Sequence, residues 1–423
     1  MKKNDMIDKI INIFFISVFT LLIFLKNVIG TNVNVIYITV LLFAFFIVSN
    51  KSVAVIIGFL IPFSSAIQGN YIIIIGLIIY LFKEKNKYSI DRSIFLILLI
   101  IIIELINCFN VYSTIKGFIT FVITIVFTYI IINTKEKNNE EIIRYNILGI
   151  ILASCIFLFQ TFKSITFSDF ILYNYRLGFA INSNIISNNF VLSFNSNELA
   201  LYALFGISLV SFLRYKEKIK SYLYYAIIMY FTILGFLTMS RAFFIFFILF
   251  IITFIIKNKK RIISFVITLF FIIPLLAGIY NLNENFFDGI IINYQDRFSK
   301  NDMTNQRTTI IKNYNKVIFS TPKNIFIGSG TQNYNKKNNQ LTTSHNATQE
   351  IFICWGIIGG IAYIFLIINY IKKSKQKNYK YDLNYYIPFI FLLFMVQTIP
   401  FLTQGIIIML LYIALAPFGV IEQ

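Results

Sequence analysis

The sequence predicts an all-α integral membrane protein with roughly 12–14 transmembrane helices and a long extracytoplasmic loop containing short helices. Three observations carry this. Charged residues make up 13% of the chain and hydrophobic residues 58%, whereas a soluble domain of this size holds about 25% charged. Apolar runs of about 15–20 residues recur from end to end, each bounded by a short polar cluster, and lipid admits only helices or closed barrels. The runs are continuous rather than alternating, which argues against a barrel.

Taken in order, the apolar runs place spans near 10–26, 34–49, 53–68, 70–82, 93–109, 116–132, 143–162, 195–213, 221–239, 241–256, 262–280, 347–371, 384–399 and 402–418. The 53–82 region also reads as a re-entrant pair. The first run follows MKKNDMIDKI and reads as a retained first span, without a cleavable leader and with a cytoplasmic N-terminus. The net charge of +19 does not point to nucleic acid, because lysines cluster in short segments between apolar runs. The Lys-rich short loops all land on one side, which the positive-inside rule makes cytoplasmic. Both termini are then cytoplasmic. Cys108, Cys155 and Cys354 sit in or near apolar segments without metal-ligand spacing, so no disulfide framework is expected.

Two outer segments break the pattern of tight loops: 163–194 and the longer 281–346. The chain therefore divides into transmembrane helices over 1–280, a large outer loop or cap over 281–346, and C-terminal transmembrane helices over 347–423. The cap is too long for a passive connector. Within it, apolar residues at 310, 311, 314, 317 and 318 form a helical stripe. Pro322 is expected to stop that helix, and IGSGT to make a turn. There is no internal repeat of the transporter kind.

Arg176, Arg241, Arg297 and Arg307 fall on the outer side, where orientation does not require them. Arginine binds phosphate through a planar fork. Arg297, beside Asp296, is accounted for by an ion pair. Arg241 in TMSRAFF opens a span with no acid nearby, Arg176 lies in YNYRLGF, and Arg307 starts the cap helix. The spans starting near 195, 241 and 347 begin at the outer face, so their N-termini offer free N–H groups and partial positive charge. Arginines and helix starts together make an anion pocket at the membrane surface, suited to a lipid-linked pyrophosphate. His345, the only histidine, stands at this pocket and can accept a proton near neutral pH. A Ser-His hydrolase built on Ser329 or Ser344 lacks an identifiable third group. No Asp-x-Asp pair or metal-ligand cluster occurs, which favours metal-free chemistry with no cofactor. Glu104, inside IIIELINCF, is either functional or an interfacial acid beside Asn107.

Four stretches resemble the O-antigen ligase and O-antigen polymerase family of bacterial membrane glycosyltransferases. They are YRLG with FNSNELALYALFGI, TMSRAFFIFFILF, QRTTIIKNYNKVIFSTPKNIFIGSG, and SHNATQEIFICWGIIGGIAYIFLI. Together they cover roughly 176–370. The family's Asn-Pro is Asn195-Ser196-Asn197 here, and its glycine pair in the Arg loop is only Gly178.

The resemblance implies a GT-C-like enzyme in the bacterial inner membrane, with its active site on the outer face. It would take a glycan from undecaprenyl pyrophosphate by metal-independent, inverting transfer to an acceptor sugar hydroxyl. His345 would be the base, and Arg176, Arg241 and Arg307 would hold the pyrophosphate. Asn346, Asn197, Glu198, Gly328 and Gly330 are supporting candidates. The expected activity is polymerisation of O-antigen or capsular repeat units. Ligation of glycan to lipid A-core is the alternative, and a flippase for the lipid-linked sugar is a reading of another class. Partners would be the lipid-linked donor, the acceptor glycan and the bilayer, with a chain-length regulator and a flippase nearby.

Overall fold

A computed structural model describes residues 3–63, 76, 79, 91–108, 112–133, 138–166, 169–170, 176–178, 192, 194–257, 288, 291–292, 295, 307–375, 382–399 and 405–420. Among these residues the structure is helical, with no strand. The N-terminal part runs α1 (Lys3–Phe24, continued by a π-helical stretch Leu25–Ile29), α2 (Asn34–Ile47), α3 (Asn50–Leu60), α4 (Ser93–Cys108), α5 (Tyr112–Asn133) and α6 (Asn139–Ser164). Then follow α7 (Ser196–Tyr215), α8 (Ser221–Leu237) and α9 (Arg241–Lys257). Three short helices come next: α10 (Arg307–Ile318), α11 (Pro322–Ile327) and α12 (Tyr334–Lys337). The chain ends with α13 (Ala347–Ser374), α14 (Leu383–Met395) and α15 (Gly405–Leu415).

Local chemistry starts these helices where they start. Asn138, Asn195, Asn346 and Asp382 are the residues before α6, α7, α13 and α14, and each accepts a backbone N–H from the first turn. Such caps satisfy donors that the helix itself leaves open. Among the described residues, Met6–Ile29, Asn139–Lys163, Ser196–Tyr215 and Ala347–Ser374 are long and apolar enough to cross a membrane, and eight shorter apolar helices accompany them. The chain is an integral membrane protein. The expected spans at 70–82 and 262–280 lie outside the described residues, apart from positions 76 and 79.

Two expectations change. The helix from Arg307 ends at Ile318, before Pro322, and Pro322 instead opens α11, with Thr321 as its cap accepting the Asn324 N–H at 3.2 Å. Proline suits a first helical turn because the N–H it lacks would find no partner there. The span from 53 is α-helical only to Leu60, where a 3₁₀ turn, Ile61–Phe63, takes over around Pro62.

The centre of the bundle is α7, buried around nearly its whole circumference and packed against α8, α14, α6 and α9. Helix α3 packs on α6, α4 on α13, and α5 on α15. Because lipid is as apolar as the interior, close packing and buried hydrogen bonds hold such helices together. Asn146 on α6 donates to Gly58 O on α3 at 2.7 Å, and Tyr412 on α15 donates to Ala54 O at 3.0 Å.

The bundle has two distinct ends. At one, Lys373 pairs with Asp91 at 2.6 Å and bonds Asn133 Oδ1, Tyr215 bonds Asp382, and Arg144 pairs with Glu140. At the other end lie the starts of α7, α9 and α13 and the 3₁₀ turn Val396–Thr398 after α14. At about 1.5 Å per residue, α13 measures about 42 Å, longer than a bilayer core of about 30 Å. It is broken at Gly356, whose φ and ψ of 62° and −165° are not helical. Before the break only Thr348 is exposed; after it Ile357, Ile358, Ile361, Ile364, Phe365 and Ile368 are. The break thus separates a segment covered by the short helices from a segment with a bare apolar face.

Candidate active site

Arg176 stands at the closing turn of α8. Its Nε donates to Thr238 O at 3.3 Å, and the next residue, Leu177, donates its N–H to Leu237 O at 3.0 Å. A cation at the C-terminal end of a helix meets carbonyls that have no helical donor. Gly178 then brings the segment onto the start of α7. A Cβ there would lie 2.7 Å from Ser196 N, and φ is +102°, so only glycine fits without strain.

The start of α7 meets the start of α9. Ser240 Oγ donates to Asn197 Oδ1 at 3.1 Å, and Arg241 follows directly as the first residue of α9. The Asn195 side chain accepts the Asn197 N–H at 3.0 Å, and the Asn195 N–H bonds the Glu198 carboxylate. That reciprocal pair is a capping box, so Glu198 and Asn195 close the end of α7 on itself.

Arg307, at the start of α10, donates to Thr398 O at 3.4 Å. It is half-buried. Burial first, and then the nearby charge of Arg241, hold its proton less tightly than usual. His345 is also half-buried, and its protonation is disfavoured below the usual 6.5, first by burial and then by Arg307. Arg241, Arg307 and His345 therefore form one electrostatic neighbourhood. They come from three segments far apart in the chain. At neutral pH the imidazole is unprotonated and can accept a proton.

The start of α13 is braced on two sides. The Asn346 side chain accepts the Gln349 N–H at 2.9 Å, and Gln349 Nε2 reaches Ile311 O and Asn315 Oδ1 on α10, each at 2.8 Å. Thr348 Oγ1 donates to Gln397 Oε1 at 3.1 Å.

Gly328 and Gly330 lie elsewhere. Ser329 N donates to Ile353 O and Gly330 N to Cys354 O, both at 2.8 Å. Those carbonyls belong to the turn that the break at Gly356 deprives of helical donors. A Cβ on Gly328 would sit 2.5 Å from the Cys354 carbonyl, and one on Gly356 would sit 2.3 Å from Phe326 C. The two segments thus touch backbone to backbone about 10 Å along α13 from its start. This contact docks the short helices on α13 and is separate from the arginine cluster. Glu104 is part of the same docking. Its Oε1 accepts the Trp355 indole N–H at 2.6 Å and the Thr331 N–H at 2.8 Å. Asn107 donates to Ile103 O and Ile327 O rather than to Glu104. Among the described residues, no group of three or more His, Cys, Asp or Glu side chains is arranged to hold a metal ion.

Residues 226–364 match the model of a family described as O-antigen ligase. The segment is similar to that family. It contains α9, the described part of the 281–346 loop and the start of α13, and with them Arg241, Arg307, Gly328, Gly330, His345 and Asn346. Arg176, Asn197 and Glu198 precede the matched segment; Arg176 bonds Thr238 and Asn197 bonds Ser240 within it. No curated protein and no solved structure matches the chain.

Sequence reasoning passed over Tyr334, Glu350 and Thr398. Glu350 had a visible signal, an acid in the first turn of an apolar helix. Tyr334 and Thr398 had none, since their partners are distant in the chain.

Proposed function

We propose that this protein is a membrane glycosyltransferase that polymerises lipid-linked oligosaccharide repeat units. The observation that carries the reading is the meeting of Arg241, Arg307 and an unprotonated His345 at one end of the bundle. The family match supports a lipid-linked glycan as donor.

The chemistry follows from those groups. An imidazole nitrogen of His345 takes the proton of an acceptor sugar hydroxyl. The freed oxygen pair attacks the anomeric carbon as its bond to the pyrophosphate oxygen breaks, and that bond's electrons leave on the pyrophosphate. Arg241 and Arg307, with Arg176 at the closing turn of α8, carry the charge that develops on the leaving group. In-line displacement inverts the anomeric centre. The donor would be undecaprenyl-pyrophosphate glycan, and the site would face the outer side of the bacterial inner membrane, with both termini cytoplasmic. In that reading 1–280 and 347–423 are the membrane domain, with a GT-C-like arrangement, and 281–346 is the cap over the site.

The test is purified protein incubated with synthetic lipid-linked repeat units, with and without a chelator. Polymer forms in both cases, and His345→Ala abolishes it, a loss of at least about 10²–10⁴-fold, while the variant still inserts in the membrane. A His345→Ala protein that makes full-length polymer removes His345 from the mechanism.

A second reading is favoured by the matching family itself, described as O-antigen ligase. It shares every residue above and differs only in acceptor. Supplying lipid A-core in the same assay separates the two: a ligase loads it, and a polymerase extends the repeat unit instead.

A further inference from the structure

His345 has a left-handed backbone, with φ of 50°. For a residue with a side chain this conformation is strained, and it persists only where surrounding contacts over-determine it. Those contacts are specific. On the N-terminal side, Tyr314 Oη donates to Thr342 O at 2.6 Å, and the Ser344 N–H donates to Tyr334 Oη at 3.2 Å. Tyr334 Oη in turn donates to Glu350 Oε1 at 3.4 Å. The rings of Tyr314 and Tyr334 are 5.7 Å apart at 56°. On the C-terminal side, the Glu350 N–H donates to Asn346 O at 2.8 Å. Glu350 therefore touches both flanks of His345: its N–H holds the residue after, and its carboxylate, through Tyr334, holds the residue before. Tyr334, Ser344 and Glu350 are all buried. A buried carboxylate is costly to keep, and an alanine or leucine would serve helix packing as well. Here that carboxylate accepts the Tyr334 hydroxyl.

We propose that Tyr334 and Glu350 are positioning residues for His345, fixing the imidazole at the arginine cluster by clamping the backbone on either side of it. The inference rests on the reading of His345 as the proton acceptor. The Tyr334 hydroxyl accepts one backbone N–H and donates its own proton to Glu350, so the carboxylate orients the hydroxyl and the hydroxyl orients the segment before His345. Neither residue touches substrate. They act on rate through the orientation of the ring, not through binding of the donor.

Two measurements test this. His345 is the only histidine, so full-length protein with a histidine-free tag and labelled histidine gives a single imidazole signal by NMR. Tyr334→Phe keeps the ring and removes the hydroxyl; Glu350→Gln keeps the shape and removes the charge. Both variants are expected to shift or broaden that signal while the detergent-solubilised protein still elutes as folded. In the transfer assay both are expected to lower kcat about tenfold with KM for the lipid-linked donor within twofold. Tyr334→Phe added to His345→Ala should cause no further loss. An unchanged imidazole signal and kcat in folded Tyr334→Phe and Glu350→Gln overturn the inference, as does an additive loss in the double variant. Full activity of His345→Ala instead overturns the proposed function, whatever the NMR signal does, so the two failures are distinguishable.

Discussion

Glu104 on α4 accepts the indole N–H of Trp355 on α13 at 2.6 Å, across 251 positions of sequence. The same oxygen takes the Thr331 N–H, so one carboxylate joins a membrane helix, the broken turn of α13 and the loop after α11. Lys337 adds to the junction by donating to Asn107 O at 2.6 Å and Ser329 O at 3.1 Å.

Glu104→Ala strands two buried donors, at about 1–3 kcal/mol each. Thermal unfolding in detergent should therefore begin several degrees lower than in the parent protein. Trp355 is the only tryptophan, so its emission reports this junction alone, and a red shift is expected as water reaches the indole. Glu104→Gln retains an acceptor for both donors and should keep most of the stability. Identical emission and unfolding in Glu104→Ala would remove the carboxylate from the junction.

The break at Gly356 makes a sharper prediction. Gly356→Ala forces a side chain into the left-handed region, at roughly 1–2 kcal/mol, and drives a Cβ to 2.3 Å from the Phe326 backbone. Backbone cannot swing aside as a side chain can. The loss should exceed 2 kcal/mol in order of magnitude, with Trp355 emission moving as α11 lifts off. Gly360→Ala is the control. Its nearest neighbour is a Phe352 ring carbon at 3.2 Å, and it lies within regular helix, so it should be tolerated. Equal tolerance at both positions would mean that α13 straightens without cost.

The contrast between these positions also shows what the sequence could reveal. The starts of α9 at Arg241, α10 at Arg307 and α13 at Ala347 were readable, because each sits where a polar cluster meets an apolar or striped run. Charge sidedness gives one end for Arg241, Arg307 and His345 as an expectation, and in the structure Arg307 lies near enough to Arg241 and to His345 for their charges to act on each other. The break at Gly356 was not readable. Its neighbours form one continuous apolar run, and Gly-x-x-Gly-Gly fits an unbroken helix equally well. Nor was the bonding of Gly328–Gly330 to the 353–354 carbonyls, because a turn motif does not name the surface it docks on. Tyr334 lay in an unpatterned polar stretch; only folding places it beside Glu350.

Arg176 tests the value of the guanidinium fork. Arg176→Lys keeps the charge but loses the planar donors and the Nε bond to Thr238 O. kcat/KM for the lipid-linked donor should fall about tenfold or more, which is about 1.4 kcal/mol, and products should be shorter. Normal chain lengths with unchanged initial rates would reduce Arg176 to a simple point charge.

Arg307 should set the acid limb of the pH profile. The His345 pKa is lowered, first by burial and second by Arg307. The unfolded chain, near 6.5, then binds a proton before the folded one does. Stability from the neutral imidazole is complete above about 6.5 and is lost as pH falls through the lowered folded value. Activity should follow the same window, level at neutral pH and declining only below 6.5. Arg307→Gln removes the second cause and leaves the first. Its acid limb should shift upward but stay below the position of an exposed histidine, and the single imidazole signal should titrate in step. Absolute rate will also fall, since Arg307 carries leaving-group charge in the proposed reaction. The position of the limb, not its height, is therefore the readout. A profile and an NMR titration that do not move in Arg307→Gln would break the electrostatic link between the cap helix and the imidazole.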